Sequence, residues 1–121
     1  MTVRFTTTRD DFPPNVEGLS IQHLALFFLR ASGVTSELRV DHLYLEQGNS
    51  RIEAGGATSV DGIISTRGGN GASWNSMKGG LPVGEWEVAI DEDTKEMFEE
   101  EKIDDILFVI TYSGETPEWS A

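Results

Sequence analysis

Cysteine is absent from all 121 residues, which excludes disulfide staples and thiolate metal sites together. The chain must hold itself by its core. A chain of this length fits one domain, residues 1–121, and buries about two-thirds of the surface its unfolded form exposes. Long apolar runs are missing too. Leu24 to Leu29 is the longest, far short of the roughly 20 residues that cross a bilayer. Met1-Thr2-Val3-Arg4-Phe5-Thr6 alternates from the start, so neither an apolar signal-peptide segment nor membrane insertion is expected. A cysteine-free chain is compatible with any compartment, and the localisation stays open, part of a secreted assembly included.

Basic side chains are scarce. The sequence holds 9 Lys and Arg against 21 Asp and Glu, a formal net charge of −12. Residues 1–84 carry seven basic and eight acidic side chains, a sum of −1, and residues 85–121 carry two basic and thirteen acidic, a sum of −11. Nucleic acid is therefore a poor partner, because phosphate binding needs clustered Lys and Arg. Anionic membranes are disfavoured for the same reason. The acidic third has two readings. It is a solvated surface that keeps the chain dispersed, or a docking face for a basic partner protein that includes Glu99, Glu100 and Glu101.

Motifs for chemistry are also lacking. His23 and His42 fall on adjacent predicted strands and could face one another, but Asp41 points away from His42, so no metal ligand set forms. Gly68-Gly69-Asn70-Gly71 lacks the lysine and following helix of a phosphate loop. Asp91-Glu92-Asp93 and Asp104-Asp105 lack the spacing of a calcium loop. No serine sits in a nucleophile elbow. The expectation is a non-enzymatic chain with no catalytic residue, metal or cofactor.

What is present is strand patterning. Residues 2–8 read as a short strand, and Arg9 to Asn15, with Pro13 and Pro14, as a rigid turn. Leu19–Arg30 fits a buried helix or a buried strand by periodicity, and strand is favoured because the run holds Ile and two Phe, lacks a capping signal and ends in Ser32-Gly33. Leu38–Glu46 alternates Leu38, Val40, His42 and Tyr44 against Arg39, Asp41, Leu43 and Leu45. Gly48-Asn49-Ser50 is a turn. Residues 52–65 read as a strand, a Gly55-Gly56 break, and a second strand, ATSVDGIIS. Gly84–Ile90 turns Trp86, Val88 and Ile90 inward. Residues 93–102 form the one expected helix, with Asp93 as cap and Glu96 completing a capping box. Residues 103–112 are apolar on both faces, which predicts a strand in the middle of a sheet. Seven or eight short strands with one helix predict an all-β, two-layer antiparallel β-sandwich.

Residues 66–84 read as a long Gly-rich loop whose large apolar side chains are Trp74 and Met77. Two placements fit. Either the loop is mobile and presents Trp74 and Met77 to a partner, as tryptophan often anchors interfaces, or Trp74 folds back onto the sandwich. Trp119, in the tail, is a further candidate anchor. Trp74, Trp86 and Trp119 together also suit a carbohydrate-binding sandwich that stacks sugars on flat rings, although the alternation of Trp86 with Val88 and Ile90 places it in the core.

Segments toward both ends of the chain carry a family resemblance. Gly84-Glu85-Trp86-Glu87-Val88, then Ile103-Asp104-Asp105-Ile106-Leu107-Phe108-Val109-Ile110-Thr111-Tyr112, resembles the end of the A component of bacterial toxin-complex (Tc) insecticidal toxins. Arg9-Asp10-Asp11-Phe12-Pro13-Pro14 and the run Leu19–Arg30 resemble that family's turn and next strand. Val109-Ile110-Thr111 stands where the family is more basic. The resemblance implies a β-sandwich that docks the β-propeller of the toxin's B component.

Overall fold

The structure, a computed structural model, describes residues 1–116. These residues form an all-β sandwich of two antiparallel sheets, with eight strands and one α-helix among them. Strands β1 (Thr2–Thr7), β2 (Glu17–Arg30), β3 (Arg39–Gln47), β4 (Ser50–Ala54), β5 (Ala57–Thr58), β6 (Ile63–Ser65), β7 (Gly84–Ile90) and β8 (Ile103–Glu115) follow in order, with α1 (Glu92–Glu99) between the last two. One sheet has the order β1-β7-β3-β4, with β5 paired to the start of β3; the other is β6-β2-β8.

The inner faces follow from period-two alternation. Leu24, Leu26 and Phe28 of β2, Leu43 and Leu45 of β3, and Trp86, Val88 and Ile90 of β7 meet in one core. Trp86 is fully buried, and its indole N–H donates to Thr7 Oγ1 at 3.0 Å. The N-terminal turn is tied by its own side chains. The Asp11 carboxylate accepts from the Thr8 amide at 2.7 Å, Arg9 donates to the carbonyls of Pro13 and Val16, and Phe12 packs edge-on against Tyr112.

Four expectations need correction. On β3, a bulge between Val40 and His42 makes Asp41 an extra residue. The alternation reverses there, so Leu38 and Val40 are buried before it and Leu43 and Leu45 after it, while His42 turns outward. The stretch ATSVDGIIS is not one strand. Asp61-Gly62 forms a two-residue turn with φ of 54° and 78°, closed by paired amide–carbonyl bonds between Val60 and Ile63, as Asp-Gly hairpins do. The helix spans Glu92–Glu99 with Asp91 at its N-cap and no side-chain cap bond. Last, β8 lies at a sheet edge rather than in its middle. Two apolar faces in a sequence do not specify what covers them.

Residues 66–84 are the largest departure from a wandering loop. Gly69–Met77 winds as 3₁₀ turns, and the buried residues Gly71, Trp74 and Met77 recur every third position, the period of that helix. A Cβ on Gly71 would lie 2.2 Å from Ser65 O, so only glycine lets the turn sit this close to β6. Trp74 donates from Nε1 to Gly55 O at 3.0 Å, Ser73 Oγ to Gly56 O at 2.6 Å, and Asn70 Nδ2 to Ile63 O at 2.7 Å and Thr58 O at 3.1 Å. The segment plugs the side of the sandwich between β6 and the β4–β5 region. The second of the two placements holds, and Trp74 and Met77 are core residues at 0% and 1% exposure.

Candidate functional site

The two sheets turn different outer faces to solvent. On the five-stranded sheet the outward positions of β1, β7, β3 and β4 are polar and paired. Glu87 of β7 takes Arg4 of β1 at 3.2 Å and Arg51 of β4 at 3.3 Å; Arg51 also reaches Glu46 at 3.2 Å and lies 4.0 Å over the Tyr44 ring. His42 stacks on Tyr44 and meets Glu53 at 3.3 Å. Cross-strand register puts these partners opposite one another, Arg4 to Glu87, Tyr44 to Glu87 and Glu46 to Arg51.

The outer face of β6-β2-β8 is apolar. Register sets Ile63, Phe27 and Leu107 in one row and Ser65, Ala25 and Val109 in the next. Leu29 and Leu107 are about half exposed, at 51% and 55%, and Val60, beside the β5–β6 turn, is 61% exposed. Phe27 and Ile63 are half-buried. Single exposed leucines are ordinary, but a contiguous apolar patch with a polar rim is the mark of an interaction surface.

Charge marks the two ends of this face. At one end stand Asp105, opposite Leu29, and Asp61. Beside them the Glu37 carboxylate accepts from Ser59 Oγ at 2.6 Å and the Asp61 amide at 3.0 Å and pairs with Arg30 at 3.1 Å. Burial works to raise the Glu37 pKa, but the bonds from Ser59, Gly62 and Asp61, with Arg30, outweigh it and hold the carboxyl below its ordinary value. At the other end His23 Nδ1 lies 3.1 Å from Thr66 Oγ1. Partial burial, then the charges of Arg67 and Lys78, lower the His23 pKa. The Thr66 amide bonds Leu24 O and the Gly79 amide bonds Ile21 O, which brings both cationic residues to this end of β2.

The residues singled out from sequence are thus dispersed. His23 and His42 face outward on opposite sheets and do not meet. Trp74 and Met77 are inaccessible to a partner without opening the plug. With Trp74 and Trp86 both buried, a sugar-stacking platform loses two of its three rings. Trp119 lies outside the described residues. Glu99, Glu100 and Glu101 are exposed around the end of α1, where they adjoin the start of β8. Among the described residues no three His, Asp or Glu side chains gather as metal ligands do, and no helix is long and apolar enough to cross a membrane. The apolar rows of Phe27, Leu29, Leu107 and Val109 were written in the two-faced strands from the start; the signal was that hydrophobic positions exceeded what one core face can use. No protein-family model matches this chain, and no curated protein or solved structure matches it.

Proposed function

We propose that the chain is a non-enzymatic protein-interaction module that docks a partner protein through the outer face of β6-β2-β8. The observation that carries this reading is the asymmetry between the two outer faces. Leu29, Leu107 and Val109 are exposed beside a half-buried Phe27 on one sheet, while the outward positions on the other form ion pairs. Leaving that apolar area uncovered forgoes about 25 cal/mol for each Å² that a partner would bury. The resemblance of residues 84–88 and 103–112 to Tc toxin A components nominates a β-propeller of the B-component type as the partner. The acidic third, with Glu99 and Glu100 exposed near the start of β8, suits steering toward a basic rim on such a partner.

Surface plasmon resonance against an immobilised B-component propeller tests the proposal. Saturable binding is expected, and Leu107→Glu should weaken it at least about tenfold, as loss of a central apolar contact does. A chain that binds no propeller protein, or a Leu107→Glu variant that binds as tightly as the parent, overturns it.

A further inference from the structure

The three-stranded sheet is one strand short on the side facing β1. Phe108 of β8 packs edge-on against both Phe5 of β1 and Trp86 of β7, at 5.4 and 5.1 Å between ring centroids. The edge of β8 therefore lies over the β1–β7 pair, and no strand among the described residues pairs with its free side. Burial on the inner face falls across the sheet accordingly. Leu24, Leu26 and Phe28 of β2 are buried, while their register partners Ile110, Phe108 and Ile106 are only half-buried, as are Val3 and Phe5 beneath them. Five apolar side chains thus line an open margin. The opposite margin is closed by the 3₁₀ plug over β6.

The edge itself lacks the usual protection. Exposed edges are normally blunted by charge, proline, bulges or brevity. Strand β1 carries Arg4, β4 carries Arg51 and Glu53, and β6 is three residues long with Asn70 bonded to its Ile63 carbonyl. Residues 106–113 of β8, Ile-Leu-Phe-Val-Ile-Thr-Tyr-Ser, hold no charge and no proline, and their pairing with β2 runs without a register break from Asp105 to Thr111.

Charge decides what fits. Asp104 and Asp105, with Glu99, Glu100 and Glu101 nearby in sequence, flank one end of this stretch, and Glu115, opposite Glu17, flanks the other. A second copy pairing antiparallel through β8 would bring Asp104 of each chain beside Glu115 of the other with no cation between them. We propose that β8 accepts an extended strand from a partner protein, with alternate apolar residues facing Val3, Phe5, Ile106, Phe108 and Ile110 and with Lys or Arg at both ends. Main-chain bonds to β8 supply affinity and the half-filled margin supplies selectivity for apolar residues on one face. The inference rests on the reading of the chain as an interaction module.

The test uses synthetic peptides, Lys-Lys-(Val-Thr)₃-Val-Lys-Lys and the same sequence with Glu for each Lys, on the full chain. The Lys-flanked peptide should bind, slow hydrogen exchange at amides within 106–112, and bind at least about tenfold more tightly than the Glu-flanked one, four surface ion pairs being at stake. Two further peptides, N-methylated at alternate residues of one edge or of the other, should differ sharply, because strand addition uses one edge only. No protection within 106–112, equal binding of the two N-methyl peptides, or a preference for the Glu-flanked peptide overturns the inference. Propeller binding that survives alongside any of these results leaves the module reading standing and removes only strand addition.

Discussion

The outer faces of the two sheets are built from the same kind of alternating strands, yet one is laced with ion pairs and the other is apolar along its middle rows. On the first, Arg4, Glu87, Arg51 and Glu46 form a chain of contacts across four strands, with Tyr44 beneath the Arg51 guanidinium. On the second, Ile63, Phe27 and Leu107 follow one another across three. A strand needs only one apolar face to fold. The polar face is a surface meant for water; the second apolar face is a cost to solubility that the fold does not require, and that is the argument for a partner.

Substitutions separate what holds the fold from what the faces do. The largest effect is expected at the plug. Trp74→Ala empties a fully buried site and removes the bond to Gly55 O, and should cost about 3–5 kcal/mol in urea unfolding. A loss below about 1 kcal/mol would mean that the segment is a loosely attached loop after all. On the ion-paired face, Arg51→Ala should cost no more than about 1 kcal/mol, since exposed pairs contribute little, and should leave partner binding unchanged. On the apolar face the order inverts: Leu107→Glu should leave stability within about 0.5 kcal/mol while weakening the proposed propeller binding at least about tenfold.

Glu101 sharpens the reading of the acidic third. It holds φ of 59° at the end of α1, where the Lys102 amide bonds Met97 O and the Glu101 amide bonds Phe98 O. That is a Schellman turn, whose left-handed position favours glycine. Glu101→Gly should therefore raise stability by up to about 1 kcal/mol, so replacing this residue mixes a backbone effect with the loss of its charge. Glu99→Gln with Glu100→Gln is the cleaner pair. It should slow association with a basic partner and flatten its salt dependence while the melting curve stays put.

Smallest is the acid response at the rim of the apolar face. Because the folded state holds the Glu37 carboxyl below its ordinary value of 4.5, its contribution is fully present above that value and is lost as pH falls through the lower folded value. Glu37→Gln should flatten stability against pH over that window and nowhere above it. Unfolding curves from pH 3 to pH 7 check this, and an unchanged acid limb would show that the bonds to Ser59 and Asp61 do not favour the ionised form.

Much of the sandwich was legible from alternation. Strands over 84–90 and 103–112 were plain in the pattern, Trp86 announced itself as core, and 19–30, whose periodicity fits helix as well as strand, was readable as strand from its Ile, its two Phe and its missing cap. Other features were legible but overlooked: Asp61-Gly62 is a hairpin signal, and the spacing of Gly71, Trp74 and Met77 is a 3₁₀ period. The bulge at Asp41 was not legible, because one inserted residue reverses every later position on β3 without altering its composition. The proposed docking face was half legible. Leu107 and Val109 were visibly surplus to one core, but only the topology shows that no layer among the described residues covers them.

Cross-saturation NMR on the complex with a B-component propeller places the partner on one face or the other. Saturation of the partner should attenuate amides of Phe27, Leu29, Leu107 and Val109 and leave Tyr44, Glu46, Arg51 and Glu87 untouched. Attenuation confined to the ion-paired face would contradict docking through the three-stranded sheet.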